Sequence, residues 1–387
     1  MSSFESSSID GKCRIAFVSP VGDIGGAERV IAAISSGFAE RSIDHQIFCL
    51  REGDWTRGHW SSETKVVPFP GGYRIRQPLR LLKAVRWLKR HLDDYQPTVI
   101  HANHGAWWLT ALATRKNAAV KIWHLYDYPD RKDIQVLAGE RLPPTGVIFT
   151  GEYVGSGHPT LMRLPHAFIR PVTLEPRHFA QGARDDNAVD RVIRPEERYL
   201  LNVARWQPHK GFRYLVDAVH LLQARARLPS DLRVVIIGKP ANREQQLFRE
   251  EILTQMRAKE VFDRFVFVES CSDSGLRAFY KKAVTLVHPS TTEGFGLTLI
   301  EAMSMGTPVI ACDASGPSEI LDHGRYGCLV PKGDANRLSD AIEKMLFEHE
   351  FRAQKRLESI DRAEAFSRDK MINETLAFYA RLALKVA

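Results

Sequence analysis

Two glutamates, Glu293 and Glu301, are the first residues in this sequence whose types and spacing could do chemistry. They lie eight residues apart, on either side of a glycine-containing turn and the start of an apolar run. The pattern predicts a buried strand at Val284–His288 and a helix at Leu297–Met305. Eight residues are a little over two turns at ~3.6 residues per turn, so both carboxylates can face one ligand. On its own, the pair would suit the acid and base of a glycoside hydrolase.

A second set of charged residues follows the strand predicted at Tyr199–Val203. Arg205 and Lys210 lie in the stretch Ala204–Gly211, between that strand and a predicted helix. A guanidinium fork and an ammonium at the end of a strand suit a diphosphate, although two solvated surface cations would explain this stretch alone. Because the two glutamates are expected at a corresponding edge of the same sheet, the combination favours a ligand site.

A glycine-containing turn also follows the first predicted strand, Cys13–Ser19. Gly25 and Gly26 lie in this turn, before a helix predicted from Ala27 to about Arg41. A strand, a glycine turn and a helix start can bind an anion, and a plain packing turn is the alternative. The spacing is not Gly-x-Gly-x-x-Gly and no Gly-Lys-Ser/Thr follows, which weakens dinucleotide and P-loop interpretations.

The elements that must position these residues form two series of alternating strands and helices. Such alternation predicts doubly wound parallel sheets, and 387 residues are too many for one ordinary core. The alternation lapses where several prolines and a polar run indicate a linker. After a disordered leader at 1–12, we therefore expect an N-terminal Rossmann-like domain to 165, a linker at 166–197, a C-terminal Rossmann-like domain at 198–365 and a C-terminal helix at 366–387 that packs back toward the N-terminal domain.

A basic amphipathic segment, Arg74–Leu92, lies within the first series and contains no acidic residue. Two interpretations stay open: a helix that covers the sheet with a solvated cationic side, or a patch for an anionic membrane surface. In the second interpretation, each basic residue would contribute ~1 kcal/mol to the free energy of binding to the membrane. The predicted apolar face holds Leu81, Val85, Leu88 and Leu92, and the predicted cationic face holds Arg76, Arg80, Lys83, Trp87 and Arg90.

Composition narrows the class of protein. The net charge of +8 indicates an anionic partner such as a nucleotide or a lipid head group, and the absence of a nucleic-acid-binding motif argues against nucleic acid. No apolar run approaches the ~20 residues needed to cross a bilayer, and the N-terminus lacks the pattern of a signal peptide. Five scattered cysteines without metal-ligand spacing are typical of reduced core thiols. We therefore expect a cytoplasmic protein, with peripheral membrane association through the basic segment as a further expectation.

Three motifs resemble those of the family 4 retaining glycosyltransferases of the GT-B fold (glycosyl transferases group 1). They occur in the expected order and span nearly the whole chain: Gly25-Gly26-Ala27-Glu28-Arg29-Val30, Arg205–Gly211, and Glu293–Met303 followed by Gly306-Thr307-Pro308-Val309-Ile310-Ala311. The resemblance implies two Rossmann-like domains facing across a cleft, with the acceptor on the N-terminal side and a nucleotide-sugar donor of the UDP or GDP type on the C-terminal side. It also implies no cofactor and no metal, and no Asp-x-Asp pair occurs in the chain.

The resemblance assigns roles to the candidate residues. It places Arg205 and Lys210 at the donor diphosphate, Glu293 at the sugar hydroxyls and Glu301 at the ribose. These roles fit the chemistry, because carboxylates accept hydrogen bonds from hydroxyl groups and cations neutralise the charge on a leaving diphosphate. No protein nucleophile is implied, since such enzymes are described as reacting by front-face substitution. Further donor contacts are expected from the backbone of Phe295, Gly296 and Leu297 and from the glycines Gly25, Gly26 and Gly238.

The sequence departs from the family pattern near the end of the strand predicted at Val99–Ala102. Many relatives have His-x-His there, whereas this chain has His101-Ala102-Asn103-His104. Asn103 takes the place of the histidine that touches the donor sugar, and it can hydrogen-bond a hydroxyl but cannot act as an acid or base. We take Asn103 and His104 as catalytic candidates. His101 is a further site candidate, and for both histidines a structural role is the alternative.

Two further positions compare with the family in different ways. His124, which ends the strand predicted at Val120–His124, matches a family histidine that faces the cleft, and we expect it to contact the donor. The family's Pro-Asn-Gly at the domain junction is replaced by Leu164-Pro165-His166-Ala167, which changes acceptor-side contacts.

The expected function is retaining, metal-independent transfer of a hexose-type sugar to a lipid-linked, polysaccharide or oligosaccharide acceptor in surface glycan biosynthesis. The choice of acceptor rests on the basic segment Arg74–Leu92. A soluble small-molecule acceptor is the alternative within the same class. A nucleotide-sugar epimerase, which can use the same two-domain fold, and a donor-binding protein that lost catalysis, suggested by Asn103, are alternatives from other classes.

Overall fold

The computed structural model describes residues 13–20, 26–53, 64–72, 77–126, 141–171 and 181–386. The chain divides into two compact units. The first takes in the chain up to Thr173 and again Ser367–Ala387, and the second is Leu174–Phe366. The predicted leader, Gly25 and the basic residues Arg74 and Arg76 lie outside the described residues.

The first unit is built on a seven-stranded parallel sheet. Most of its strands are buried, as expected for a parallel sheet with helices on its faces. In chain order the strands are β1 (Arg14–Ser19), β2 (Asp44–Cys49), β3 (Lys65–Pro68), β4 (Val99–Asn103), β5 (Val120–Leu125), β6 (Gly146–Phe149) and β7 (His166–Phe168), and they lie in the order β3-β2-β1-β4-β5-β6-β7. Its helices before the second unit are α1 (Gly26–Glu40), α2 (Pro78–Tyr95), α3 (Trp107–Ala113) and α4 (Glu152–Ser156).

The second unit holds a six-stranded parallel sheet in the order β10-β9-β8-β11-β12-β13. Its strands are β8 (Arg198–Val203), β9 (Leu232–Ile237), β10 (Phe265–Val268), β11 (Thr285–His288), β12 (Val309–Cys312) and β13 (Cys328–Val330). Its helices are α5 (Asn187–Asp190), α6 (Phe212–Ala224), α7 (Arg243–Ala258), α8 (Asp273–Lys282), α9 (Leu297–Ser304), α10 (Gly316–Ile320), α11 (Ala335–Phe347) and α12 (His349–Glu364).

Both sheets reverse their strand order at one point, between β1 and β4 in the first unit and between β8 and β11 in the second. In doubly wound sheets, ligands bind beyond the carboxyl ends of the strands at such a reversal. The segments that follow β8 and β11 contain Arg205, Lys210 and Glu293, and Asn103 ends β4. These four candidates therefore lie at or just beyond the carboxyl ends of strands that border a reversal of strand order.

The last helix, α13 (Arg368–Val386), belongs to the first unit. Two glycines let it approach closely: a Cβ on Gly37 would lie 2.0 Å from Ile372 Cδ1, and one on Gly146 would lie 2.5 Å from Leu382 Cδ1. Ile372 and Leu382 are buried there. The first unit thus takes part of its core from the end of the chain.

The α/β class with two doubly wound sheets agrees with the sequence prediction, and three details differ. His166–Phe168, within the predicted linker, is an edge strand that pairs with β6, and its three residues are too few to give a sequence signal. The short strand β13 was not predicted. Trp87, expected on the cationic face of α2, instead packs on Phe48 and Phe69, with ring centroids 6.4 and 5.5 Å away.

Candidate functional site

The loops that follow β8 and β11 touch through Gly211. This glycine has φ +75°, and a Cβ there would lie 1.9 Å from the carbonyl oxygen of Pro289. Beside it, the Thr291 backbone N–H donates to the His209 carbonyl at 2.8 Å. Only glycine fits this approach, because it tolerates the left-handed conformation and has no side chain to collide. The loop that carries Lys210 is therefore held against the loop that carries Glu293.

Lys210 and Glu293 form an ion pair at this contact. Lys210 Nζ lies 2.6 Å from Glu293 Oε2, and the two side chains are only 12% and 16% exposed. Lys210 reaches this position from the short 3-10 turn Pro208–Lys210, which ends at Gly211. Two residues that the sequence assigned to one ligand are thus in direct contact with each other.

His288 is a third member of this group, and sequence reasoning missed it. It ends β11, is buried, and its Nε2 donates to the same Glu293 Oε2 at 3.0 Å. Thr298 Oγ1 lies 3.5 Å from the other ring nitrogen. The available signal was its place at the end of a predicted strand, at the same sheet edge as Glu293.

The surroundings of Glu293 decide its charge. Burial acts to raise the pKa of this carboxyl, but the Lys210 ammonium and the hydrogen bond from His288 oppose it and hold the pKa well below its usual range. Glu293 is therefore an ionised acceptor at neutral pH. It can accept hydrogen bonds from hydroxyl groups, whereas the acid of a glycoside hydrolase must carry a proton.

Glu301 occupies the fifth position of α9 and makes a different contact. The Tyr280 hydroxyl donates to Glu301 Oε2 at 2.8 Å. Before it, Phe295 is buried with its ring 6.1 Å from that of Phe366, and Gly296 has φ +110° at the start of α9. The backbone of 295–297 therefore leads into the amino end of a helix, where N–H groups suit an anion.

Arg205 follows β8 and Gly238 follows β9, and the loops that carry them are in contact. Arg205 is exposed, and its side chain has no ion-pair partner in the described part of the chain. A Cβ on Gly238 would lie 2.2 Å from the Ala204 carbonyl oxygen, and the Gly238 carbonyl accepts a 2.8 Å hydrogen bond from Trp206 Nε1. In this structure Gly238 packs against the loop of Arg205, and a donor contact from it stays a prediction.

The candidates of the first unit gather where β4 and β5 end. Asn103 and His124 are register partners on these strands, and both are buried. The amide atoms of Asn103 make no hydrogen bond of good geometry with a described residue, although the Asn103 side chain is near enough to Tyr126 to oppose the burial that raises the pKa of that phenol. His104 has φ +38°, and its carbonyl accepts a 2.7 Å hydrogen bond from Trp123 Nε1.

Buried histidines surround this point. Burial lowers the pKa of His101 to about 3, and burial together with His101 lowers the pKa of His124 as well. Both rings are therefore neutral at physiological pH and act as hydrogen-bonding groups. Gly26 is the first residue of α1.

Two family models match separate parts of the chain. The model described as Glycosyltransferase Family 4 matches residues 24–141, and the one described as Glycosyl transferases group 1 matches residues 183–361. The first range contains Asn103, His104 and His124, and the second contains Arg205, Lys210, Gly238 and both glutamates.

Curated relatives carry the name D-inositol 3-phosphate glycosyltransferase. The one from Jonesia denitrificans is 31% identical over 189 residues, which are 49% of this chain and 44% of the relative. The one from Paenarthrobacter aurescens is 23% identical over 385 residues, 92% of this chain and 93% of the relative. The chain spans less than half the length of the first curated relatives that it matches.

Among solved structures, the Anabaena protein Alr3699/HepE in complex with UDP matches with a TM-score of 0.79 at 19% identity. The match covers 95% of this chain and 100% of that protein. At this identity the likeness concerns the fold, and it agrees with two Rossmann-like domains of the GT-B type.

Proposed function

The chain belongs to the family 4 glycosyltransferases of the GT-B fold, and we propose that it transfers a sugar from a nucleotide-diphosphate sugar to a small acceptor in solution. The observation that carries this proposal is the group of Lys210, Glu293 and His288 at the strand reversal of the second sheet. It sets an ionised carboxylate, which accepts from sugar hydroxyls, beside an ammonium, which attracts a phosphate.

The donor would bind the second unit. Arg205 and Lys210 would hold the diphosphate and neutralise the charge that develops when it leaves, without a metal ion. Glu301 would accept hydrogen bonds from the ribose, and the amino end of α9 would face a phosphate. We favour a UDP-type donor over a GDP-type donor, since the structurally similar Anabaena protein binds UDP.

We propose transfer with retention of the anomeric configuration. Glu293 accepts hydrogen bonds from Lys210 and His288, so it is suited to orienting the sugar and is not available as a free nucleophile. The acceptor hydroxyl would attack from the face that the diphosphate leaves. The proton of that hydroxyl would pass to the departing phosphate oxygen, the new glycosidic bond would form, and the bond from the sugar to the phosphate would break.

The acceptor we propose is a small phosphorylated cyclitol of the inositol phosphate type. Its support is the shared name of the relatives, D-inositol 3-phosphate glycosyltransferase. The first expectation, a lipid-linked or polymeric acceptor, rested on the basic charge of α2. That charge concerns binding to a surface and carries no information on acceptor chemistry, so the alternative of a soluble acceptor replaces it.

Peripheral membrane binding through α2 is a separate proposal. Within the described residues of the first unit, Leu79 and Leu82 on this helix are 76% and 45% exposed, and Arg80, Lys83 and Arg86 beside them are also exposed. Toward the end of α2, Lys89 and Arg90 are paired with Asp93 and Asp94. The unpaired charge therefore lies at the start of the helix, where exposed leucines accompany it. The helices of the described residues include none long and apolar enough to cross a membrane.

A donor and acceptor panel tests the main proposal. The purified protein is incubated with UDP-, GDP- and ADP-linked hexoses, each with inositol phosphate, with unphosphorylated inositol and with a lipid-linked sugar. We expect a glycosylated inositol phosphate, with the donor's anomeric configuration by NMR. An altered nucleotide sugar formed without acceptor would identify an epimerase, and donor binding without product across the panel would identify a catalytically silent binder. Either result would overturn the proposal.

A further inference from the structure

Four buried side chains of the first unit form a continuous hydrogen-bonded row that the proposed mechanism does not use. The Tyr379 hydroxyl on α13 makes a short hydrogen bond to His101 Nδ1 on β4. His101 Nε2 lies 3.0 Å from His124 Nδ1 on β5, and the Tyr126 hydroxyl lies 3.0 Å from that same His124 Nδ1. We call this row the histidine relay.

All four members of the relay are neutral near pH 7, so each carries one proton to place. Burial lowers the pKa of both histidines and raises the pKa of both tyrosines. A neutral imidazole has one N–H and one acceptor nitrogen. Which nitrogen carries the proton is set by the hydrogen bond that the other one makes.

The phenol of Tyr379 decides this placement. A phenol O–H is a good donor and its oxygen a weak acceptor, and the Tyr379 hydroxyl faces His101 Nδ1. Tyr379 therefore donates to His101 Nδ1, which puts the His101 proton on Nε2. That N–H donates to the single lone pair of His124 Nδ1, so the His124 proton lies on Nε2, and the Tyr126 hydroxyl has only a share of that lone pair.

The opposite direction of these hydrogen bonds would leave a buried O–H group without an acceptor. If His101 carried its proton on Nδ1, the Tyr379 hydroxyl would have to accept, and its own O–H has no other acceptor among the described residues. A buried donor without a partner costs ~1–3 kcal/mol. His124 Nε2 has no partner in the described part of the chain in either direction, so the unpaired Tyr379 O–H would be an additional cost of the opposite one. His124 is the register partner of Asn103 at the carboxyl end of the sheet.

We propose that Tyr379 and His101 are positioning residues that fix His124 in the tautomer with its proton on Nε2, so that His124 offers a hydrogen-bond donor to a substrate oxygen. This role rests on the proposed function, because it requires a substrate at this end of the first sheet. Tyr379 and His101 act through His124 and do not themselves touch substrate. The last helix of the chain thus helps to define the chemistry of a residue 255 positions earlier.

Nitrogen-15 NMR of the histidine rings tests the relay directly. The His124 signals are assigned by their loss in His124→Gln. In the wild type we expect an unprotonated Nδ1 and a protonated Nε2, and in Tyr379→Phe a mixture of tautomers. The matched control is Tyr199→Phe, which removes a buried hydroxyl in the second unit that donates to the Phe279 carbonyl at 2.7 Å and should leave the His124 signals unchanged.

Steady-state kinetics on the same variants tests the positioning role. We expect Tyr379→Phe to lower kcat about three- to tenfold, the worth of one neutral hydrogen bond, with the KM for the nucleotide sugar within about twofold of wild type. A wild-type proton on Nδ1, or unchanged tautomers in Tyr379→Phe, would overturn the relay. Changed tautomers with wild-type kcat and KM would overturn its positioning role. Changed tautomers in a protein that transfers no sugar would leave the relay standing and count against the proposed function.

Discussion

Lys210 Nζ and Glu293 Oε2 lie 2.6 Å apart, although 83 positions separate the two residues in the chain. Each was expected to bind a different part of the donor, the ammonium the diphosphate and the carboxylate the sugar. If the donor binds as proposed, it would share these two groups while they hold each other. The pair would then act as one unit that fixes the distance between the proposed phosphate and sugar sites.

Substitutions of Lys210 and Glu293 should not be independent. Lys210→Met and Glu293→Gln should each lower kcat/KM by about 10- to 150-fold, since a hydrogen bond to a charged group contributes ~1.5–3 kcal/mol. The double variant should lose less than the product of the two, because the singles break the same interaction. Kinetics on the three variants measures this coupling. Lys259→Met, which breaks a partly exposed ion pair with Asp217, is the control and should keep wild-type transfer. Multiplicative losses would refute a shared pair.

Acid should remove the stability that the pair provides. The folded pKa of Glu293 is held below its unfolded value, so this stability is present above about pH 4.3 and is lost as the pH falls further. We expect Glu293→Gln to unfold with about 1–3 kcal/mol less free energy than wild type near pH 7, and this gap to narrow below pH ~4.3. Urea unfolding across this range measures it. Glu251→Gln, at an exposed pair with Arg213, should show no gap at any pH.

Substitution of Glu301 should affect donor binding, whereas substitution of Glu293 should affect turnover and sugar choice. If Glu301 binds the ribose, Glu301→Gln should weaken UDP binding about tenfold, the worth of ~1.4 kcal/mol, with little change in kcat. Tyr280→Phe, which removes the phenol that holds Glu301, should weaken it in the same direction by about two- to fivefold. Calorimetry with UDP measures both. Glu293→Gln should keep UDP affinity within about twofold and change sugar choice instead. Equal losses of UDP affinity in both glutamate variants would argue against the division of roles.

The start of α2 should bind anionic vesicles. Cosedimentation with phosphatidylglycerol-rich vesicles should exceed that with phosphatidylcholine alone. The double variant Arg80→Gln/Lys83→Gln should reduce partitioning about 30-fold, at ~1 kcal/mol for each charge. Lys89→Gln is the matched control, because Lys89 is already paired with Asp93 and should contribute little. Equal binding to both vesicle types, or an equal loss in the control, would show that the patch is a solvated helix face.

The sequence predicted the alternating elements well, because long buried strands and amphipathic helices have strong periodic signals. Two of the shorter elements gave no such signal, and His166–Phe168 was taken for linker. The prediction that Trp87 lies on the cationic face was wrong, because a helical wheel of α2 does not show the rings of Phe48 and Phe69 that pack against it.

The residues of the candidate site could be predicted from the sequence, but the contacts between them could not. Lys210 and Glu293 could be assigned to one sheet edge, whereas their ion pair depends on how closely Gly211 lets two loops approach. His288 gave only the weak signal of a histidine at a strand end. The bond of His101 to Tyr379 joins residues 278 positions apart and depends on the rotation of α13, which no local pattern encodes.

The place of α13 also has a consequence for synthesis. The first unit is interrupted in sequence by the whole of Leu174–Phe366, so the ribosome completes the second unit before the first has its last helix. At ~5–20 residues per second, about 10–40 s pass between residue 173 and Tyr379. During that interval the surfaces around Gly37 and Gly146 lack the side chains that later cover them. A chain cut after Phe366 should therefore yield a complete second unit and a damaged first one, although the cut lies far from the first unit in sequence.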